Sequence, residues 1–425
     1  MTTPRNQKLY AAMKTFCIAL VQLSTEQVDN RVDSSNGLTS PNLIEDALQL
    51  PEYQFTVEML NADSVICSHF GKRIGIAGFG YIPVAANVIL DALVTPILEG
   101  KRPVFDEDFF DGSYTEFEDM FYCQTVTCEA IAPVQGWCLS EELQQRSGNT
   151  ALLKFSDDLQ IRQLSVEEEK AVHLMELVRR YGFRWTDRLY AITATYQRAK
   201  VILRIDEEIA PDVEHASEEE FVQINDRIEE VLETLRVFRK GSIRQGGIYH
   251  RVNSWLVSGI MRNMRKPLAY PIANLNPMYV LETQQDLNEL EDFWQSVQKA
   301  KAKGHRFLNV AMRRFAESNE RHRVEDRLID LMIAAEALAQ ASSSKSKGDV
   351  MAEYVATHVV ETDKTKVRTV MRDTYRLRNS IVHDGDASRW LSRTGKQPGD
   401  VMVVASTTEE YLREALKKTV MEATQ

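Results

Sequence analysis

Near the C-terminus the chain reads YRLRNSIVHDGDASRW (375–390), with Arg378, Asn379 and His383 in one helical pattern. An arginine presents a planar, charged fork that grips phosphate oxygens with two hydrogen bonds. An imidazole is the side chain best suited to moving protons near neutral pH. An amide between them can position either a phosphate or the imidazole. Together the three residue types suit phosphodiester chemistry. They also suit a cationic helix end, which the helix dipole favours by a few tenths to ~1 kcal/mol. The residues alone leave both readings open.

Spacing narrows the geometry. Asn379 and His383 are four apart and share a face on adjoining turns. Arg378 and His383 are five apart, roughly 140° around an ideal helix. They converge only if the helix loosens near His383, or if a second copy of the helix completes the site. Asp384 and Gly385 supply a terminator directly afterward. Val367, Val370, Met371, Thr374, Arg378 and Val382 recur at helical spacing, which puts Arg378 on the core stripe or at its edge. A guanidinium there needs a partner or an anion. The upstream stretch VEDRLIDLMIAAEALAQ carries Glu336 inside an apolar run. That acid is expected to meet Arg378 or His383 across a helix–helix contact and to orient it.

The elements that must position these residues are helical. Periodicity predicts helices at 284–302, 305–318, 324–341, 349–360, 364–382 and 407–423, with polar SSSKSKGD (342–349) as a connector and VMVVAS (401–406) as a short strand. Before them, SVEEEKAVHLMELVRRYG opens with a Ser165–Glu168 capping box, includes His173 on its surface or core edge, and closes at Gly182. A helix is predicted from about Trp185 to Arg204 and another from Ser217. RVFRKGSIRQGGIYHRV breaks the pattern with glycines, and MRNMRKPLAYPIANLNP reads as a linker or loop. His250, after that glycine turn, reads as structural or as lining a binding face.

The first 160 residues are mixed. PEYQFTVEML, DSVICSHF and CQTVTCEAIAPV have strand-like composition, and LLKFSDDLQIRQL a hairpin with Asp-Asp at its turn. KRIGIAGFGYIPVAANVILDALVTPILEG reads as a glycine-rich start leading into a buried helix that ends at Gly100. Acidic DEDFFDGSYTEFEDMF reads as an exposed connection. GIAGFG (75–80) reads as a turn before it reads as a phosphate cradle, since its spacing is G-x-x-G-x-G with no Lys-Ser/Thr after it. Cys123 and Cys128 lack paired zinc spacing, and with Cys17, Cys67 and Cys138 they read as small buried hydrophobes.

At 425 residues the chain is expected to hold two or three domains, and its formal charge of −11 argues against general coating of nucleic acid. The charge is uneven. Residues 296–425 carry a balance of +5 and residues 1–295 one of −16, so an anion site is most compatible with the C-terminal third. The absence of a long apolar run predicts no membrane span. The start MTTPRNQKLYAAMKTF lacks a signal-peptide pattern, and an odd cysteine count suits reduced thiols, so a cytoplasmic location is expected.

DRLIDLMIAAEALAQ followed by YRLRNSIVHDG resembles the HEPN superfamily and, within it, the Apea-like HEPN domains, over about residues 295–425. LETLRVFRKGSI (232–243) resembles the segment that often precedes that domain. One departure is that Asp384 stands where many relatives place glycine directly after the histidine. The resemblance implies a metal-independent endoribonuclease with no cofactor, in which a helical bundle dimerises and brings two Arg-x4-His motifs into one cleft. His383 would move protons, Arg378 would stabilise phosphate charge, Asn379 would position, and Glu336 would orient. Arg372 and Arg376 would contact RNA. The alternative is a non-catalytic HEPN module that dimerises and binds a nucleotide or RNA.

The expected fold class is therefore α+β. A mixed sensing or regulatory region (1–160) precedes a mainly helical connector (161–282) and a HEPN-like helical bundle (283–425). A bacterial antiphage-defence or toxin-like role follows from the resemblance alone. It brings an RNA substrate, a homodimer through the C-terminal domain and a phage-derived trigger at the N-terminal region as expected partners.

Overall fold

The computed structural model describes residues 4–29, 46–76, 80–90, 104–140, 143, 151–166, 168–170, 189–204, 211–252, 260–263, 279–340 and 346–424. In chain order these form α1 (Gln7–Asp29), α2 (Pro51–Ala62), α3 (Ser64–Cys67), β1 (Lys72–Ile76), β2 (Gly80–Pro83) and α4 (Glu107–Tyr122). Next come β3 (Thr125–Gln135), β4 (Trp137–Leu139), β5 (Ala151–Ser156), β6 (Leu159–Gln163), β7 (Tyr190–Ala199), β8 (Val201–Arg204) and α5 (Pro211–Phe238). Then follow β9 (Arg244–Gln245), β10 (Ile248–Val252), β11 (Ile260–Asn263), β12 (Tyr279–Leu281), α6 (Gln284–Ala302), α7 (Arg306–Ser318) and α8 (Val324–Ala339). The chain ends with α9 (Lys347–His358), α10 (Lys364–Asp384), α11 (Ser388–Thr394) and α12 (Pro398–Thr424). The class is α+β, with a helical C-terminal region.

Two compact units result: one of residues 1–130, 195–223 and 249–263, the other of 131–194, 224–248 and 264–425. In the first, β1 pairs antiparallel with β2 and with β8. Its core gathers Leu9, Met13 and Phe16 of α1, Leu60 of α2, Ile74 and Ile76 of β1, and Phe110, Tyr114, Phe117 and Phe121 of α4. Those four aromatics explain why DEDFFDGSYTEFEDMF is a helix and not an exposed connection. They recur at helical spacing, and Asp106 caps the helix by accepting from the Phe109 N–H at 3.0 Å. PEYQFTVEML and SVIC are helices for related reasons. Pro51 sits in the first turn of α2, and the Asp63 carboxylate caps α3. In GIAGFG, Gly75 and Ile76 belong to β1 and Gly80 opens its antiparallel partner β2, with 77–79 outside the described residues; a strand, not the helix of a phosphate loop, follows.

His250 is buried in this unit, its Nδ1 2.8 Å from the Tyr196 hydroxyl and its ring 4.5 Å from that of Phe221. Burial, reinforced by the nearby Arg198 charge, pushes its pKa down to about 3. The neutral form therefore belongs to the folded state. Between pH ~6.5 and about 3 the unfolded chain binds one proton more, so stability falls as pH falls, by up to ~1.4 kcal/mol per pH unit from this group. Urea titrations across this range should show a shallower acid loss in His250→Gln than in the wild type.

In the second unit β5, β6 and residues 190–194 of β7 are successive antiparallel neighbours, and β9 pairs with the end of β3 at Val134 and Gln135. The β5–β6 hairpin turns at Asp157-Asp158, as its sequence predicts. Where the helix from Trp185 to Arg204 is predicted, residues 190–204 are instead the strands β7 and β8, and 185–188 lie outside the described residues. Ile192, Thr193, Thr195 and Tyr196 favour the pleated backbone, and Tyr190–Ala194 is buried on both faces, so its apolar run shows no strand alternation. Ser165 and Glu168 form the expected capping box, while His173, Gly182 and the prolyl stretch 264–278 lie outside the described residues.

β12 pairs in parallel with β4, placing the Tyr279 ring on the Trp137 ring, centroids 5.5 Å apart. Gly241 approaches that strand so closely that a Cβ would lie 2.6 Å from Tyr279 Cα. Gly241→Ala should cost ~1–3 kcal/mol through forced displacement of backbone, read as a lower urea midpoint at unchanged slope.

The six helices α6–α10 and α12 surround a core that includes Leu290, Val297, Met312, Phe315, Leu331, Met332, Met351, Val355, Met371, Leu412 and Leu416. Alanines 334, 335, 352, 356 and 415 are fully buried there and let helices approach closely. The predicted strand VMVVAS lies within α12. Val401 and Ala405 are buried four residues apart while Met402 and Val403 are exposed, a helical and not an alternating pattern.

Candidate functional site

The helix α10 begins with the Asp363 side chain accepting from the Lys366 N–H and buries Val367, Met371, Thr374, Leu377 and Ile381. Thr374 shares a buried hydrogen bond of 2.8 Å with Thr408 of α12. At its far end Leu377 and Ile381 pack with Leu328 of α8, Trp390 of α11, and Val401 and Ala405 of α12. Val382 is not in that core; it is 47 % exposed. The buried stripe follows Thr374, Leu377 and Ile381 at 3.6-residue spacing, which turns Val382 outward.

Arg378 is therefore half-buried at the edge of the stripe, as is Asn379, and His383 is exposed in the last turn. Arg378 Nη1 donates to Asn379 Oδ1 at 3.1 Å, while its Nε is buried with no hydrogen-bond partner. The helix stays regular through Asp384 and ends at Gly385, whose φ of 86° supplies the left-handed cap. No loosening brings Arg378 round to His383 within one chain. Glu336 is half-buried on α8, and among the described residues no hydrogen bond or ion pair joins it to Arg378 or His383.

The surrounding charges set Arg378 apart. Arg368 bonds Glu353 at 2.6 Å, Arg372 bonds Asp349 at 2.6 Å, and Arg376 bonds Asp373 at 3.2 Å. Of the four arginines of α10, Arg378 alone has no carboxylate partner among the described residues. Arg372 and Arg376, expected at an RNA backbone, thus hold surface ion pairs that contribute little and exchange readily for another anion.

Asp384 stands directly after His383. Its carboxylate accepts from the Ser380 hydroxyl at 3.2 Å and from Arg389 Nη1 at 3.3 Å. The negative charge next to the imidazole is tied down from both sides, and the glycine turn arrives one residue later. Arg389 did not emerge from motif reading. Its signal was the acid-free stretch SRWLSRTGK (388–396), with three cations directly after the terminator.

Among the described residues no cluster of three His, Cys, Asp or Glu side chains could hold a metal ion. Burial raises the Cys17 and Cys128 thiols to about 12, so both are inert small hydrophobes. Cys67 is exposed and Cys123 partly so. No helix among the described residues is long and apolar enough to cross a membrane. Comparisons with protein-family models, curated proteins and solved structures find no match for this chain.

Proposed function

We propose that the chain is a metal-independent endoribonuclease whose site is completed when two copies bring Arg378 and His383 together. The observation that carries this reading is the state of Arg378. It is half-buried, its Nε is unsatisfied, and it lacks the carboxylate that every other arginine of α10 holds. A guanidinium in that position gains most from an anion. An exposed imidazole stands on the same terminal turns, about 140° away, and the regular helix keeps it there. Convergence then requires a second helix, which the resemblance to HEPN dimers supplies.

In this mechanism the RNA 2′-hydroxyl loses its proton to a neutral His383 and attacks the adjacent phosphorus. The 5′-oxygen leaves with a proton returned by an imidazolium. The products are a 2′,3′-cyclic phosphate and a free 5′-hydroxyl. Arg378 stabilises charge on the phosphate oxygens. Asn379 holds the guanidinium through its amide oxygen, while Glu336 has no bond to Arg378 or His383 among the described residues and takes no orienting role. An antiphage or toxin-like setting in the cytoplasm, with a phage-derived trigger at the N-terminal region, is proposed from the resemblance.

The direct test is incubation of purified protein with RNA in EDTA, followed by end-group analysis. Cleavage leaving 2′,3′-cyclic phosphate ends supports the reading. Retained RNA binding with no turnover would replace it with the non-catalytic binding module.

A further inference from the structure

We propose that α11 and the turn after it form the arm that holds the RNA backbone beside His383, through Arg393 and Lys396 and assisted by Arg389. This rests on the reading of Arg378 and His383 as an RNA site and adds the residues that grip its substrate.

Four observations place the arm. Trp390 is buried with Leu377 and Ile381, so α11 is anchored on the end of α10 that carries Arg378 and His383. Arg389 donates to Asp384, the residue next to His383, which fixes one face of α11 toward that end. Arg393 lies one turn further on the same face, four residues along, and is exposed. Lys396 stacks its ammonium over the Trp390 ring at 4.8 Å, just past the left-handed Gly395 cap.

The stretch 388–396 contains three cations and no carboxylate. Among the described residues neither Arg393 nor Lys396 has an acidic partner. This differs from α10, where Arg368, Arg372 and Arg376 are all neutralised by acids. Two uncompensated charges, Arg393 on the anchored helix and Lys396 just past its cap, match the repeated negative charge of a single strand. Base identity plays no part in such contacts, so the arm confers affinity and register without sequence preference.

The test is fluorescence anisotropy of labelled oligouridine against the His383→Ala protein, which removes the proposed chemistry, across a potassium chloride series. Adding Arg393→Ala should lower the slope of log affinity against log salt by about 0.7 and weaken binding about fivefold at 0.1 M salt. Lys396→Ala should act in the same sense, and charge reversal at both should act more strongly. Arg393 is exposed, so an unchanged melting curve separates lost contacts from lost folding. Unchanged slopes in both variants, or no binding by the parent protein, would overturn the arm.

Cleavage kinetics separate this outcome from the parent reading. On the His383 background, Arg393→Ala should raise KM with kcat kept. RNA held through α11 but never cut would leave the arm standing without the nuclease. RNA cut by both variants at unchanged KM would remove the arm and leave the nuclease.

Discussion

Replacing His383 by alanine should lower RNA cleavage by about two to four orders of magnitude, the usual contribution of a positioned general acid or base. Arg378→Ala should cost about two to three orders, because the phosphate loses its charged donor as charge develops. Neither loss should come from unfolding. His383 is exposed, and an exposed substitution of this kind changes stability by about 0.5 kcal/mol or less. Removal of Arg378 deletes a buried, unsatisfied Nε along with the charge, so its melting curve should hold or rise. Single-turnover cleavage beside thermal melting checks both. Arg378→Lys is a sharper variant: it keeps the charge and loses the fork, so most of the defect should remain.

Glu409→Ala should be the most damaging single change to stability in the helical unit, at ~3–5 kcal/mol. Glu409 is buried on α12 and accepts from two arginines, Arg413 one turn on and Arg327 of α8. Arg413 also donates to the Arg236 carbonyl of α5 at 3.3 Å and lies over the Phe315 ring at 5.3 Å. Burial alone already pulls the Arg413 pKa down to about 10 and lowers that of Arg327, with Arg413 adding repulsion to the latter. Without the carboxylate, the buried Arg413 guanidinium and the half-buried Arg327 guanidinium would be left without their shared counter-charge. Urea unfolding should expose the loss. Replacing all three by apolar residues of similar volume should recover most of it, since the isolated pair, not the packing, carries the penalty.

Legibility in the sequence followed the strength of local periodicity. Helices α6 to α10 lie within two residues of their expected ends, α8 stopping at the left-handed cap of Gln340, φ 45°. All five carry an apolar stripe, and α6 and α10 also have side-chain N-caps at Thr283 and Asp363. The first unit was harder to read because its aromatic residues serve helix and strand alike. Phe110, Tyr114, Phe117 and Phe121 sit among acids, and charge masked their spacing. In β7 the burial of both faces erased the alternation that marks a strand.

The site itself was partly legible. Residue types and the order of Arg378, Asn379 and His383 could be read directly, and so could the angle between them. What no pattern showed was which arginine lacks an acid, since ion pairs such as Arg372–Asp349 and Arg368–Glu353 join α10 to α9 and depend on how the two pack. The tie from Arg389 to Asp384 has the same origin, a short turn that folds α11 back.

The central claim is that Arg378 and His383 act together only across two copies. Chains carrying Arg378→Ala and His383→Ala, differently tagged, co-expressed and purified as a mixed pair, test it most directly. Mixed pairs should regain cleavage that neither variant shows alone, because one intact guanidinium and one intact imidazole then meet in a shared cleft. A mixed pair as inactive as each variant by itself, beside an active wild type, would contradict it.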